Sequence, residues 1–427
     1  MTSHPSTSRQ RGFSLIELLI GMVIAIEILV AALTIFDVHN RMARLQLQIT
    51  DMQQSLRVAQ YDLVRTTRMA GRGGLPIGPG TPPSFFIDTT TLSVDWLRGF
   101  AVEARDNVAE GGDNEVALGT ASPLAVPGTD ILTVRGCLSG QFFQLDPTIP
   151  GDFTGASMIV RRDLSSGRSQ DIAELLAPGF SGPILLQSAI NRMQYAIGEV
   201  GLVTGTPETQ ATLAISFASL IGNPYVVAPP ADFVPGFACT LEEYRYYVRQ
   251  NFETPGDDAT PLKPRLARAR MIPGTELPYA GDEANLSLDL ADDIFDLQIA
   301  LGFDTNFDSA GSGVGSFDAD TNNVGPDDVF YEGVDNAARA TDDWLGNSSG
   351  DVPAAAGGRL YYVRISTLAR TARRDPKYSA PDFDPVAGVD FIENNNYDVA
   401  PANAFKTPEN RQYRHRLLQT VVDLRNI

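Results

Sequence analysis

The pattern of hydrophobic positions is most regular at the start of the chain. From Phe13 to Phe36 nearly every position is apolar, and only Glu17 and Glu27 carry charge in those 24 residues. At ~1.5 Å of rise per residue the run predicts roughly 36 Å of helix, enough to cross a ~30 Å hydrocarbon core. Past Phe36 the helix is predicted to continue with a different pattern. Val38, Met42, Leu45, Ile49, Met52, Leu56, Ala59 and Leu63 recur at alternating spacings of four and three, while Arg41, Arg44, Gln46, Gln48, Asp51 and Arg57 fill the polar face. Such a heptad-like stripe needs a surface to pack on. Either a coiled-coil partner or the chain's own sheet would serve. Gly71, Gly73, Gly74 and Pro76 end the helix, which would run roughly 85 Å from Phe13 to about Met69.

Short apolar runs follow, separated by Pro- and Gly-rich turns, a spacing that favours antiparallel meanders over βαβ units. Residues 131–134, 158–161, 184–186, 193–200, 211–217, 244–248, 360–365 and 414–424 read as strands, and 286–303 as one strand with a short lead-in. Tyr244, Tyr246 and Tyr247 alternate as a strand would and are expected in the core. Residues 71–130 are rich in Gly, Pro and Asp and show few clear strands. Residues 304–358 form a long Asp/Gly/Asn/Ala insertion. There is no internal repeat of fixed period and no second long apolar span.

Composition narrows the class. The chain has 427 residues, 43% of them apolar, enough to bury a substantial core. Its 33 Lys and Arg against 52 Asp and Glu give a net charge of −19, which disfavours nucleic acid and anionic lipid surfaces. The leader before the apolar run is basic (Arg9, Arg11), and basic flanks stay on the cytoplasmic side. The bulk of the chain is therefore expected outside the cytoplasm. Cys137 and Cys239 would then lie where disulfides persist. A bridge would close a loop of about 100 residues, worth at most ~4.7 kcal/mol in the chain-entropy model; two separate buried thiols are the alternative.

Candidate chemistry is sparse. The insertion spaces oxygen-bearing side chains alternately, as hard cations prefer: Asp304, Asn306 and Asp308, then Asp318, Asp320 and Asn322, with Asp327 and Asp328 following. Neither copy is an EF-hand, because Ser309 and Asn323 stand where its turn glycine belongs, and Gly315 and Val329 where its last glutamate belongs. Calcium at this loop and a solvated acidic loop held by Asx turns are both compatible with the pattern. No phosphate-binding GxxxxGK and no HExxH sequence exists, and the three histidines (His4, His39, His415) are scattered. No enzymatic activity is expected. Arg373–Arg374 reads as a solvated pair.

The start of the apolar run is specific. A secretory signal peptide would have a shorter apolar region followed by a small-residue cleavage site; here the small residue, Gly12, precedes the run. Glu17 would cost up to ~2.5–3.5 kcal/mol in the span unless it is paired. Cutting after Gly12 would put a new amino group on Phe13, which Glu17 of a neighbouring subunit could neutralise. Gly12-Phe13-Ser14-Leu15-Ile16-Glu17 resembles the class III signal of type IV prepilins and type II secretion pseudopilins. The resemblance implies cleavage after Gly12 by a prepilin peptidase, N-methylation of Phe13 and subunit docking through Glu17. Glu27 departs from the usual pattern.

Looser patterns resemble the PilW-like minor pilins. They are Asp130–Arg135, Ala291–Asp304, Val363–Ile365, and Tyr413–Arg416 with Val421–Asn426. This resemblance implies an α+β, pilin-like fold: a long N-terminal transmembrane and amphipathic helix packed on an antiparallel β-sheet, with an enlarged globular head. The expected organisation is a leader (1–12), a membrane helix (13–36), an amphipathic helix entering the head (37–70) and an extracytoplasmic β-rich domain (71–427). The implied role is a minor pilin that primes pilus assembly in the bacterial inner membrane. It would sit at the filament tip with other minor pilins and the major pilin, served by an inner-membrane assembly platform and joined by a tip adhesin. A J-like minor pseudopilin of a type II secretion system is the first alternative. A membrane-anchored, calcium-dependent binding protein or enzyme is the second.

Overall fold

A computed structural model describes residues 14–75, 101–105, 125–126, 128–138, 142–146, 149, 151–173, 175–176, 182–191, 194–217, 228–254, 262–271, 273, 287–304, 344–346, 359–380, 391–392, 395–396 and 408–424. They divide into two compact units, one ending at Asp51 and one beginning at Met52.

The first unit is helical. Helix α1 covers Leu15–Arg68, and its residues from Leu15 to Arg44 are all exposed. Val38 and Met42, the first members of the apolar stripe, are among them. Ion pairing within this unit is local, as in Asp37 with Arg41 one turn apart (2.7 Å).

The second unit is an antiparallel β structure built on the rest of α1. The stripe is buried from Met52 onward, with Leu56, Ala59 and Leu63 at 0–2% exposure. Arg65 and Arg68 complement the dipole at the C-terminal end of the helix. Gly71, Gly73 and Gly74 all have positive φ, the left-handed conformation that glycine adopts without strain and that stops a helix.

Three sheets make up the bulk. The first has five strands: β1 (Val102–Arg105), β2 (Ile131–Gly136), β9 (Glu242–Phe252), β10 (Leu262–Met271) and β11 (Ser287–Asp292), in that order. The second has six: β3 (Phe143–Gln144), β8 (Pro235–Thr240), β5 (Gly182–Ser188), β6 (Tyr195–Thr206), β7 (Gln210–Ser216) and β4 (Ser157–Arg161). The third has four: β13 (Trp344–Gly346), β12 (Ile294–Asp304), β14 (Arg359–Arg370) and β17 (His415–Asp423). A two-residue pair, β15 (Phe391–Ile392) with β16 (Asn395–Asn396), and one helical turn, α2 (Pro408–Arg411), complete the described elements.

The α+β, pilin-like class is therefore observed: a long N-terminal apolar helix and antiparallel sheets in a large head. Two corrections apply to the detail. Among the described residues the head holds three large sheets, not one. The stretch 286–303 is two strands in different sheets: β11 ends in the five-stranded sheet and β12 begins in the four-stranded one. The switch is Asp293, whose φ of 59° is left-handed backbone that aspartate tolerates better than most residues. Residues 71–130 contribute a fully buried strand, β1. Within the stretch read as an insertion, β13 returns to pair with β12.

The core around α1 draws on the five- and four-stranded sheets, with Leu132, Val134, Tyr246 and Leu266 from the one and Leu297, Ile299, Val363 and Val422 from the other. The six-stranded sheet has its own core, formed by Met158, Leu186, Leu213 and Phe233 among others. Asp130, fully buried, joins two of the sheets: its backbone N–H donates to the Leu297 carbonyl (2.9 Å), and its Oδ2 accepts from the Ile299 N–H (2.7 Å).

Candidate assembly site: the helix, its start and its root

The start of α1 is closed by a reciprocal pair. The Ser14 N–H donates to Glu17 Oε2 (3.0 Å), and the Glu17 N–H donates to Ser14 Oγ (3.2 Å). This is a capping box, in which a serine before the helix and a glutamate three residues on satisfy two orphan donors. The negative carboxylate also sits well at the positive end of the helix dipole. Glu17 is thus engaged locally, a role separate from the expected docking. The S-x-x-E spacing was readable from sequence, and the partnership of Ser14 was not drawn from it. Gly12 and Phe13, the expected cleavage and methylation residues, lie outside the described residues.

Residues 7–25 match the family model described as the prokaryotic N-terminal methylation motif. The match covers the start of the chain and supports a type IV pilin-like or pseudopilin-like protein, processed by a prepilin peptidase and assembling with other pilins. It points to a structural protein. With the apolar helix, the only described one long and apolar enough to cross a membrane, it points to membrane anchoring with the C-terminal domain outside. No curated protein and no solved structure matches the chain.

In the second unit the later turns of α1 are fastened to the head by polar groups. The Tyr246 hydroxyl donates to Asp62 Oδ2 (2.7 Å) and lies 2.7 Å from Thr66 Oγ1. Arg268 reaches the same Asp62 carboxylate (3.1 Å) and stacks over the Tyr244 ring, 4.6 Å from its centroid. Burial, reinforced by the Asp62 charge, pushes the Tyr246 hydroxyl well above its ordinary pKa, so it remains a donor. Gln60 makes the second attachment: its Nε2 donates to Thr367 Oγ1 on β14 (3.0 Å) and to the Leu418 carbonyl on β17 (3.3 Å). Sequence reading placed Tyr246 in the core but missed Gln60, Asp62 and Arg268 as partners.

The helix-ending turn is held by the cysteines. Cys137, just after β2, and Cys239, on β8, form a disulfide with Cα atoms 5.9 Å apart. It ties the five-stranded to the six-stranded sheet. The Gly71 N–H donates to the Arg135 carbonyl, and the Cys137 N–H to the Arg72 carbonyl. A β-carbon on Gly73 would fall 2.4 Å from the Cys137 sulfur.

Beside this junction runs a buried ion network. Arg135 bonds Glu103 on β1 (2.7 Å) and Glu243 on β9 (2.5 Å), and Glu243 also pairs with Arg245 (2.7 Å). All four are at most 1% exposed. Burial raises the Glu103 pKa, and the Arg135 charge opposes the rise. Charges so deeply buried hold only as mutual partners.

The suggested calcium ligands Asn306, Asp308, Asp318, Asp320, Asn322, Asp327 and Asp328 lie outside the described residues. Of Asp304 only the backbone, at the end of β12, is described. Among the described residues no group of three or more His, Cys, Asp or Glu is placed to hold a metal ion. His415 faces the Phe295 ring at 5.8 Å, and Cys137 is in the disulfide. Arg373 and Arg374 are exposed.

Proposed function

We propose that the protein is a minor pilin of a type IV pilus. It would be cleaved after Gly12, methylated on Phe13 and held in the inner membrane by its 13–36 span, with the N-terminus cytoplasmic. There it would prime pilus assembly with other minor pilins and pass to the filament tip. One observation carries the reading: the methylation motif opens the same helix, Leu15–Arg68, whose later residues Gln60, Asp62 and Thr66 are bonded into the head. A group so rooted transmits force between helix and domain, as a filament subunit must. The size of the domain after the helix, about 350 residues, favours the tip, because a large head is hard to repeat along a densely packed shaft.

Co-expression with a prepilin peptidase tests the processing. The expected product lacks residues 1–12 and carries a methylated Phe13 by intact mass. Gentle detergent extraction with mass spectrometry of the co-purifying chains tests the machine. Other minor pilins and a tip adhesin support the pilus assignment. Type II secretion pseudopilins in their place assign the protein to that system.

A further inference from the structure

We propose that Glu27 is a second docking group in the membrane-spanning helix, and that its ligand is the terminal ammonium of another subunit built on the same kind of helix. The proposal rests on the pilin-like reading and adds a partner chemistry to it.

Glu27 sits fourteen residues after Phe13 and nine before Phe36, about 21 Å and about 14 Å along the axis. Neither end of the span is within reach of a glutamate side chain, so it has no polar boundary to which it can retreat. It is exposed on the helix surface. Its neighbours one turn away (Val23, Ile24, Val30 and Ala31) are all apolar. The next polar side chain on that side, Thr34, donates its hydroxyl to the Val30 carbonyl (2.8 Å). Glu17, by contrast, has Ser14 as a local partner. Glu27 therefore lacks what makes Glu17 tolerable in isolation, and an unpaired acidic group at this depth is costly. Kept charged there, it needs a cation from another chain, since the alternative is protonation.

The sequence narrows the cation. From Phe13 to Asn40 there is no Lys or Arg. A subunit on the same plan brings one positive group into the bilayer, its processed amino terminus, and a basic side chain at that depth would itself be costly. The two carboxylates are ten residues apart, about 15 Å. Glu17 would take an ammonium from a subunit displaced about 6 Å along the axis, and Glu27 one from a subunit displaced about 21 Å. Ala31, one turn beyond Glu27, leaves room for that helix to approach.

The test uses the full chain in membranes, co-expressed with a prepilin peptidase and the co-assembling subunits. A photo-cross-linking residue replaces Ala31 in one sample and Gly21 in another, and the products are mapped by mass spectrometry. The Ala31 product is expected to join the first residues of a processed partner. Glu27→Gln should lower its yield by about tenfold, the loss of a charge-assisted contact, and leave the Gly21 product unchanged. Glu27→Leu, which inserts more easily, should lose it too, so failed insertion would not account for the effect. An Ala31 product that survives both variants, or that maps to lipid or to a mid-helix side chain, overturns the proposal alone. Retention of residues 1–12 by intact mass overturns the pilin-like reading beneath it.

Discussion

The Tyr246 hydroxyl donates to the Asp62 carboxylate at 2.7 Å, linking the central strand of the five-stranded sheet to the helix that follows the membrane span. Arg268 shares the same carboxylate, so Asp62 balances one charge and accepts one buried hydroxyl. Asp62→Ala would take this carboxylate from Arg268 and leave the Tyr246 hydroxyl with Thr66 alone. The expected loss is about 1–3 kcal/mol, read as a lower midpoint in urea for the full chain in detergent. Tyr246→Phe removes the donor but keeps the Asp62–Arg268 pair and should cost less. Equal effects from the two variants would mean that the ion pair contributes nothing.

That contact also shows how much the sequence discloses. The buried stripe of α1 was legible because a helix repeats its inward face every three or four residues, and Met52, Leu56, Ala59 and Leu63 fall on that period. Strands β2, β4, β5 and β7 were legible as short apolar runs between turns. Strand β10 was not. Its sequence LKPRLARARM is basic and carries Pro264, which argues against a paired strand, yet it lies between β9 and β11. The arginines fit because Arg265 meets Asp289, Arg268 meets Asp62 and Arg270 meets Glu242. Partners so far away in sequence leave no local pattern. The sheet switch at Asp293 is hidden for the same reason: one residue in left-handed backbone divides what reads as a single apolar run. At the helix start the capping residue was in plain view, because Ser14 and Glu17 are three positions apart.

The Cys137–Cys239 bridge joins two sheets at the turn that ends α1, across a sequence separation of 102. Replacing both cysteines by serine should lower stability by up to ~4.7 kcal/mol in the chain-entropy model, and a reducing agent should produce the same shift in the unsubstituted protein. Thermal melts with and without reductant, beside alkylation of protein recovered from the cell envelope, check both. Two fully alkylated thiols in native protein would count against the bridge. Gly73→Ala should also destabilise, since its φ of 101° and the adjacent Cys137 sulfur both exclude a β-carbon.

His415 gives the head a pH dependence. Burial, with the Arg370 charge second, lowers its pKa from 6.5 to about 3. The folded state thus holds the ring neutral where the unfolded chain would protonate it. Between these values the unfolded state binds more protons, so stability rises with pH. The contribution is complete above pH 6.5 and declines as pH falls toward 3, by at most about 1.4 kcal/mol per unit. His415→Phe, which keeps an aromatic ring against Phe295, should flatten the slope in that window. Urea midpoints at pH 4, 5, 6 and 7 for both proteins make the comparison, and parallel slopes would exclude His415 as the cause.

Glu17 has one observed role, in the capping box, and one proposed role, in docking, and one substitution divides them. Glutamine at the third helical position still closes a capping box with serine, so Glu17→Gln should leave the start of α1 intact while removing the charge available to a neighbour's ammonium. Glu17→Ala removes both and should cost roughly 0.5–1.5 kcal/mol at the helix end as well, the net contribution of one hydrogen bond. If docking depends on the charge, both variants remain membrane-embedded and are processed, and both lose their co-purifying subunits to the same extent. If the capping box is what assembly needs, Glu17→Gln retains its partners and Glu17→Ala does not. Intact mass establishes processing in each case, and quantitative mass spectrometry of the detergent extracts reads the partners. Full recovery of subunits with both variants would remove Glu17 from assembly altogether and leave Ser14–Glu17 as a local feature of the helix.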